Sequence, residues 1–518
     1  MSSLVELLST ASLVLYYLVL GGLAFYGLHR LLILALYRRA GWRRRRAHEP
    51  AVEDAGADPQ LPFVTVQLPV YNELYVAERL IDAVCALDYP SDRLEIQVLD
   101  DSTDETSELV AAAVERHRRR GLEVRHLHRR KRRGYKAGAL AEGLASARGE
   151  LVAVFDADFV PQPDFLRRTV PRFADARVGM VQACWGHLNR DYSLLTRIQA
   201  ILLDGHFALE HVARAENGRF FNFNGTAGVW RRRAIEESGG WTQDTLTEDL
   251  DLSYRAQLAG WKFVFLPRTI APAELPVDIE GFKRQQFRWA KGSIQTARKH
   301  LRRVLGADLP APVKLEAFVH LTNNAAYVLM ILLSVLVFPA MVVRHNRELH
   351  ALVRLDVALF SVSTLSILLF YVVSQLVVRP RRGDQTPHLL PLMALGIGLS
   401  VNNCRAVLAG LTSDGGAFER TPKYRIESRG DLWRRKRYRA SRDDTWLAEG
   451  LLAVYLAVGL YFSWRLEMWS SLPFLGLFFC GYAYVFALSA PPRLGALVRS
   501  WRDRRAAGGL EAGALAER

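Results

Sequence analysis

Asp156 and Asp158 stand two residues apart, directly after the apolar run Leu151, Val152, Ala153, Val154, Phe155. Carboxylates at i and i+2 just past a strand can share one hard divalent cation, Mg2+ or Mn2+, and a cation held there neutralises a diphosphate. A nucleotide-diphosphate donor needs that help, because its leaving group departs with increased charge. A lone Asp-x-Asp is usually a solvated turn. Here a second acidic strand end, Asp100, Asp101, Ser102, Thr103, Asp104, follows residues 94–99, and the combination favours the chemical reading. Farther on, Thr247 precedes Glu248 and Asp249 at the head of an amphipathic run, residues 250–258. That is the pattern of a helix start, with a Thr cap and acidic residues near the positive end of the dipole. A carboxylate on such a rigid mount could deprotonate an acceptor hydroxyl, a role worth roughly 10²–10⁴ in rate. Gln285, Gln286, Phe287, Arg288 and Trp289 lie in a basic amphipathic stretch, residues 282–300, of the kind that rests on a membrane surface. Within it Arg288 can clamp a phosphate and Trp289 offers a flat face to a sugar ring.

These residues need a scaffold. Between residues 62 and 272 short β-rich runs alternate with helical ones, which predicts a largely parallel sheet. The expected strands are residues 63–68, 94–99, 122–126, 151–155, 178–183 and 261–266, with helices such as 76–86 and 105–118 between them. The acidic motifs follow strand ends, where open parallel sheets bind ligands.

At 518 residues the chain exceeds one ordinary soluble core, and the remainder is apolar. Residues 7–28 contain no charged side chain, enough to cross about 30 Å of hydrocarbon as a helix. The run is long, lacks a basic start and is followed by Tyr37, Arg38, Arg39 and Arg43 to Arg46, so it is read as a retained anchor rather than a cleaved signal. Further apolar runs cover residues 325–343, 357–378, 389–409, 447–464 and 472–488. The net charge of +15 is concentrated beside them, at residues 43–46, 379–382, 434–439 and 499–505. Clusters so placed indicate cytoplasmic retention and contact with anionic membrane lipids. No segment interleaves aromatic and basic residues as an RNA reader does, so nucleic acid is excluded as a partner. Cys85, Cys184, Cys404 and Cys480 form no CxxC pair, which fits a reduced compartment.

Charge also orders the domains. Residues 1–37 are expected to be the anchor, 38–60 a basic cytoplasmic linker, 61–280 the catalytic domain and 281–316 amphipathic interfacial helices. Residues 317–490 form a membrane bundle, and 491–518 a cytoplasmic basic tail. The run at 389–411 lies between two basic segments and is interrupted by Asn402, Asn403 and Arg405, so it is read as re-entrant or interfacial, leaving five true spans.

The order Asp101, Asp156-x-Asp158, Thr247-Glu248-Asp249, Gln285-Gln286-x-Arg288-Trp289 resembles the D, DxD, TED, QxxRW set of processive family 2 glycosyltransferases, the cellulose, hyaluronan and chitin synthases. The segments Val98–Asp104, Gly134–Leu140, Phe155–Phe159 and Phe223–Trp230 look most like the plant cellulose-synthase-like A and C branches, which make mannan, glucomannan or glucan backbones. The resemblance implies an α/β fold, a GT-A type Rossmann-like cytoplasmic domain inserted between transmembrane helices. It implies that Asp100, Asp101 and Lys136 hold the nucleotide, and that Asp156 and Asp158 bind Mg2+ or Mn2+ and the diphosphate. Asp249, beside Glu248, would be the general base, Gln285 and Arg288 would meet the pyrophosphate, and Trp289 would lie under the acceptor sugar. Asn224, Gly225 and Thr226 stand where the family's acceptor motif has Cys, Gly and Ser. Phe418, Thr421 and Lys423 match its FxVTxK gating loop, with Arg420 in place of Val, and place residues 412–446 in the cytoplasm. The implied partners are UDP-glucose or GDP-mannose and a growing polysaccharide at the inner membrane, with room for an accessory export protein. One sugar transferred to a lipid, as ceramide glucosyltransferases do, is the rival reading.

Overall fold

The computed structural model describes residues 2–46, 61–380, 386–441 and 444–490. The linker from residue 47, Arg381 with Arg382, and the basic tail from residue 491 lie outside the described residues.

β1 (Val64–Val70) turns Val64, Val66, Leu68 and Val70 into one hydrophobic core and Thr65 and Gln67 to the opposite face. β2 (Leu94–Asp100) repeats the alternation with Ile96 and Val98 against Glu95 and Gln97. The two strands pair in parallel, residue 65 facing 95 and 67 facing 97. The buried polar side chains therefore meet: Thr65 Oγ1 donates to Glu95 Oε2 at 2.8 Å and Gln67 Nε2 to Gln97 Oε1 at 3.1 Å. The pairing satisfies the Thr65 hydroxyl and the Gln67 amide nitrogen, whereas Gln67 Oε1 stays buried without a partner.

β3 (Val124–His128), β4 (Leu151–Val154), β5 (Val178–His187), β6 (Gly228–Arg231) and β7 (Lys262–Ala273) complete one sheet in the order β3-β2-β1-β4-β6-β5-β7. Every pairing is parallel except those of β6, which runs antiparallel to β4 and β5. β6 is the strand the sequence reading lacks. Its four residues are too short to display a two-residue period, yet they bring the 224–227 turn alongside the end of β4. A second core on the other sheet face contains Leu99, Val152, Trp230 and Ala256. The mixed α/β sheet is the expected GT-A architecture.

The N-terminal helix runs unbroken from Ser2 to Arg46, past the expected anchor boundary, and its Ala40 is buried in that second core. Among the described residues, five helices are long and apolar enough to cross a bilayer: Glu6–Gly41, Ala311–Asn346, Ala351–Val378, Thr445–Arg465 and Trp469–Ser489. The chain is thus a multi-pass membrane protein. Leu389–Gly398 and Ser400–Thr412 form a pair bent by 45° where the re-entrant segment is expected.

Buried charges join the sheet domain to the bundle. Glu316 takes His29 Nε2 and Arg214 Nε, each at 2.9 Å. Lys283, on the helix Ile279–Gly306, reaches Glu449 Oε1 at 2.6 Å, Ser489 Oγ at 2.9 Å and Thr445 Oγ1 at 3.2 Å. Breaking one side of a buried ion pair leaves a bare charge, whereas replacing both is often close to neutral. Lys283→Met is therefore expected to cost about 3–5 kcal/mol, read as a lowered thermal midpoint in detergent. Lys283→Met/Glu449→Leu should recover most of it; a double variant no better than the single would show that the pair is not the anchor.

Candidate active site

The ends of β1, β2 and β4 open into one cleft lined by Asp101, Lys136, Asp156, Asp158, Asn224, Gly225, Glu248, Asp249, Gln285, Arg288 and Trp289. Residues separated by almost two hundred positions thus share a wall. The first carboxylate is fixed from both ends. Asp156 N donates to Thr226 Oγ1 at 2.9 Å, and Asp156 Oδ1 lies 2.5 Å from Lys136 Nζ. Lys136 Nζ also donates to Gly225 O at 2.8 Å and lies 4.0 Å from Glu248 Oε1. Burial alone would lower the Lys136 ammonium, but Asp156 and Glu248 outweigh it and hold the group above its ordinary value.

Gly225 has φ of +81°, in the left-handed region, and a Cβ there would meet Asp249 Oδ2 at 3.0 Å and Lys136 Nζ at 3.4 Å. The turn therefore needs glycine both for its backbone and for the space beside Asp249. Asp249 and Glu248 begin the helix Glu248–Leu258. Burial, and then the Glu248 charge, push the Asp249 carboxyl well above the usual carboxylate range; burial does the same to Glu248.

The helix Ile279–Gly306 grips the segment that carries these acids. A Cβ at Gly292 would overlap the Thr247 side chain at 2.6 Å, so the two backbones touch. Gln295 Oε1 accepts from Leu246 N at 2.9 Å, and Asp251 takes His300 Nε2 at 2.7 Å and Lys299 Nζ at 2.8 Å. The same helix brings Gln285, Arg288 and Trp289 to the cleft wall, so the spacing of Asp249 to Arg288 is set by one rigid element.

The loop expected to gate the site crosses it. Lys423 Nζ lies 2.7 Å from Asp158 Oδ2, Arg420 lies 3.3 Å from Glu73, and Arg288 Nη1 donates to Glu419 O at 3.0 Å. The Phe418 ring packs under the Arg288 guanidinium, 4.4 Å from centroid to Cζ. Thr421 also lines the cleft. Two carboxylates offering hard oxygens suit Mg2+ or Mn2+, and each of them is here balanced by an ammonium, Lys136 or Lys423.

Two expected site residues sit behind the cleft wall. Asp100 is fully buried, with Oδ1 accepting from Ser102 N at 2.8 Å and Oδ2 facing His126 and His128. Thr226 is also fully buried and braces Asp156 rather than facing the cavity. Conversely, several participants carried no motif. Arg129 forms a bidentate pair with Asp101 at 2.6 and 2.7 Å, and Arg132 stacks on Tyr71 at 3.5 Å. Glu73, just past β1, lines the cleft, and burial pushes its carboxyl up to about 8. Asn224 is held by His206 Nε2 at 2.9 Å and His211 Nε2 at 2.5 Å, brought together by a π-helical turn over residues 206–211. The position of Glu73 after a strand end was a readable signal; a π-turn has none.

Residues 59–292 match the family model described as glycosyltransferase like family 2. Glucomannan 4-beta-mannosyltransferase 1 of Oryza sativa subsp. japonica is 45% identical over 280 residues, 52% of this chain and 53% of the relative. Glucomannan 4-beta-mannosyltransferase 2 of Arabidopsis thaliana is 45% identical over 262 residues, 49% of each chain. The chain spans about half the length of the curated relatives it matches. Among solved structures, the mannosyltransferase PcManGT from Pyrobaculum calidifontis in complex with GDP-Man and Mn2+ is similar at 23% identity, covering 69% of this chain and 99% of that one with a TM-score of 0.46. The family model covers the DxD, TED and QxxRW side chains, and these gather in one cleft, so residues 59–292 are similar to a family 2 glycosyltransferase domain in sequence and in the grouping of their acidic and basic side chains.

Proposed function

We propose that this protein is a membrane-embedded inverting hexosyltransferase that extends a β-linked polysaccharide, a mannan or glucomannan, from a nucleotide-diphosphate sugar. The observation that carries the reading is the placement of Asp249 Oδ2 beside Gly225 and Lys136, in the same cleft as Asp156, Asp158 and Arg288. The mannosyltransferase names of its relatives favour a mannosyl donor, GDP-mannose, over UDP-glucose. The arginine clusters beside the apolar helices support a domain on the cytoplasmic side of the inner membrane, and the bundle beside the cleft offers a route for a growing chain.

In this mechanism the acceptor hydroxyl oxygen bonds to the anomeric carbon from the face opposite the diphosphate, the carbon–oxygen bond to phosphate breaks, and the hydroxyl proton passes to Asp249. An α-linked donor gives a β-linked product. Asp156 and Asp158 would hold Mg2+ or Mn2+, which supplies charge neutralisation for the diphosphate. Arg288 and Lys136 add positive charge where the leaving group develops its own. Tyr71 stacked with Arg132 gives the nucleobase a flat wall, and Trp289 a face for the acceptor sugar. Occupancy of the carboxylates requires Lys423 to give up Asp158, which ties donor entry to movement of the 418–423 loop.

Purified protein in detergent, given radiolabelled GDP-mannose, Mn2+ and a mannan oligomer, should yield a polymer cleaved by a β-mannanase. A product wholly extractable into organic solvent would replace polymerisation by transfer to lipid. Asp249→Asn should lower the transfer rate by about 10²–10⁴. Because the wild-type carboxyl has a raised folded-state pKa, its protonated form is the one the fold favours, and stability is lost as pH rises through that value. Asp249→Asn removes the loss, so in EDTA at pH 8 its thermal midpoint should equal or exceed the wild type's. A variant that is both active and less stable would remove Asp249 as base. Wild-type rate should likewise fall with acidification from a pH above the ordinary carboxylate range, as the base takes up its proton. Gly225→Ala, strained at φ +81° and pressed on Asp249, should reduce the rate at least tenfold, about 1.4 kcal/mol of barrier; an unchanged kcat would show that the turn does not set the base.

A further inference from the structure

His126 and His128 are alternate residues of β3, so both side chains project from the same sheet face. The parallel ladder sets His128 opposite Asp100, the last residue of β2, and His126 opposite Val98. Strand register alone therefore brings two imidazoles and a carboxylate together at the sheet's β3 edge. Asp100 Oδ2 lies 2.9 Å from His126 Nε2 and 3.1 Å from His128 Nδ1, and all three atoms fall within 4.8 Å of one another. Ligand atoms around a tetrahedral zinc ion, each about 2.0–2.1 Å from the metal, are separated by roughly 3.4 Å. A small rotation of the rings closes the difference.

The carboxylate is already oriented for ligation. Asp100 Oδ1 is occupied by Ser102 N at 2.8 Å, which leaves Oδ2 directed at the imidazoles. The arginines on either side do not oppose a cation with free charge, since Arg129 is engaged by Asp101 and Arg125 by Glu95 at 2.9 Å. Access is open as well: the side chains of His126 and His128 are 19% and 39% exposed. Ser107 Oγ, 3.3 Å from His128 Nδ1, adds a hydroxyl at the rim.

We propose that Asp100, His126 and His128 form a binding site for a zinc-type dication, separate from the cleft carboxylates, with three protein ligands and a fourth position left to water. Two imidazoles with one carboxylate select Zn2+, Co2+ or Ni2+ over Mg2+ and Mn2+, the opposite preference to the all-oxygen pair Asp156 and Asp158. The next residues along both strands, Asp101 and Arg129, form the bidentate pair on the cleft side. An ion at this site would lock the ends of β2 and β3 and hold that pair in place. The binding itself requires no donor and does not rest on the transferase reading.

Tag-free, full-length protein in detergent, stripped with chelator and titrated with Co2+, should take up one equivalent with the intense visible bands of a tetrahedral site. Zn2+ should displace it, and excess Mg2+ should not. His126→Gln/His128→Gln is expected to weaken Co2+ binding by about 100-fold or more, while Asp156→Asn/Asp158→Asn leaves it unchanged. Absence of tetrahedral bands in the wild type, or their persistence in the histidine double variant, overturns the site. Should the double variant not purify, His128→Gln at the most exposed ligand decides alone, an unaltered Co2+ affinity being the contrary result.

Discussion

Four carboxylates, Asp156, Asp158, Glu248 and Asp249, are crowded into one cleft, and the structure is organised around keeping them there. Like charges at this density resist both burial and each other, and both effects are seen in the raised Glu248 and Asp249 carboxyls. The compensating cations come from three separate parts of the chain: Lys136 from the sheet domain, Arg288 from the helix Ile279–Gly306 and Lys423 from the loop that follows the bent helix pair. No one segment could balance the cleft alone. The charge pattern therefore binds the sheet, the helix Ile279–Gly306 and the loop into one unit.

The rigidity of the unit follows from where close contacts are made. Gly292 against Thr247 and Gln295 against Leu246 fasten the helix Ile279–Gly306 to the turn that carries Glu248 and Asp249, and buried Lys283 fastens the same helix to Glu449 in the bundle. Asn224, on the other wall, is clamped by His206, which bonds Glu210 at 3.3 Å, and Glu210 in turn pairs with Arg30 of the N-terminal helix. Both walls are thus tied to apolar helices, and a displacement of the bundle would reach the reacting groups through short, buried polar links.

What was legible in the sequence was whatever obeys a local period or ends a strand. β1 and β2 show their alternation directly, and Asp101, Asp156 and Asp158 follow strand ends at which an open sheet must place its ligands. Apolar length sufficed to find the helices that can cross a bilayer. Tertiary choices were not legible. β6 is too short for a period, Asp100 at the end of β2 turns to the β3 histidines while Asp101 just past the strand turns to Arg129, and Thr226 serves Asp156 through a pairing that the antiparallel β4–β6 contact creates. The clamp of Asn224 by two histidines needs a π-turn, for which side-chain spacing gives no warning.

The loop contact adds a further consequence of the charge constraint. Lys423 is buried, held by Asp158 at 2.7 Å and by the carbonyl of Glu274, and the next residue's backbone donates to Glu274 Oε1 at 2.8 Å. An ammonium so placed offsets the charge that a divalent cation would otherwise offset, so the two compete for the same carboxylate. Arg288 is held in parallel by Glu419 and Phe418 of that loop. A donor diphosphate arriving with its metal would bring both negative charge for Arg288 and positive charge for Asp158, and would release the loop from both anchors at once. Loss of the loop without a donor would leave Asp158 without its ammonium among the other acids of the cleft, Glu73, Asp101, Asp156, Glu248, Asp249 and Glu274. Both contacts of the loop thus fall on groups that the proposed donor would use, a carboxylate for its metal and a guanidinium for its diphosphate.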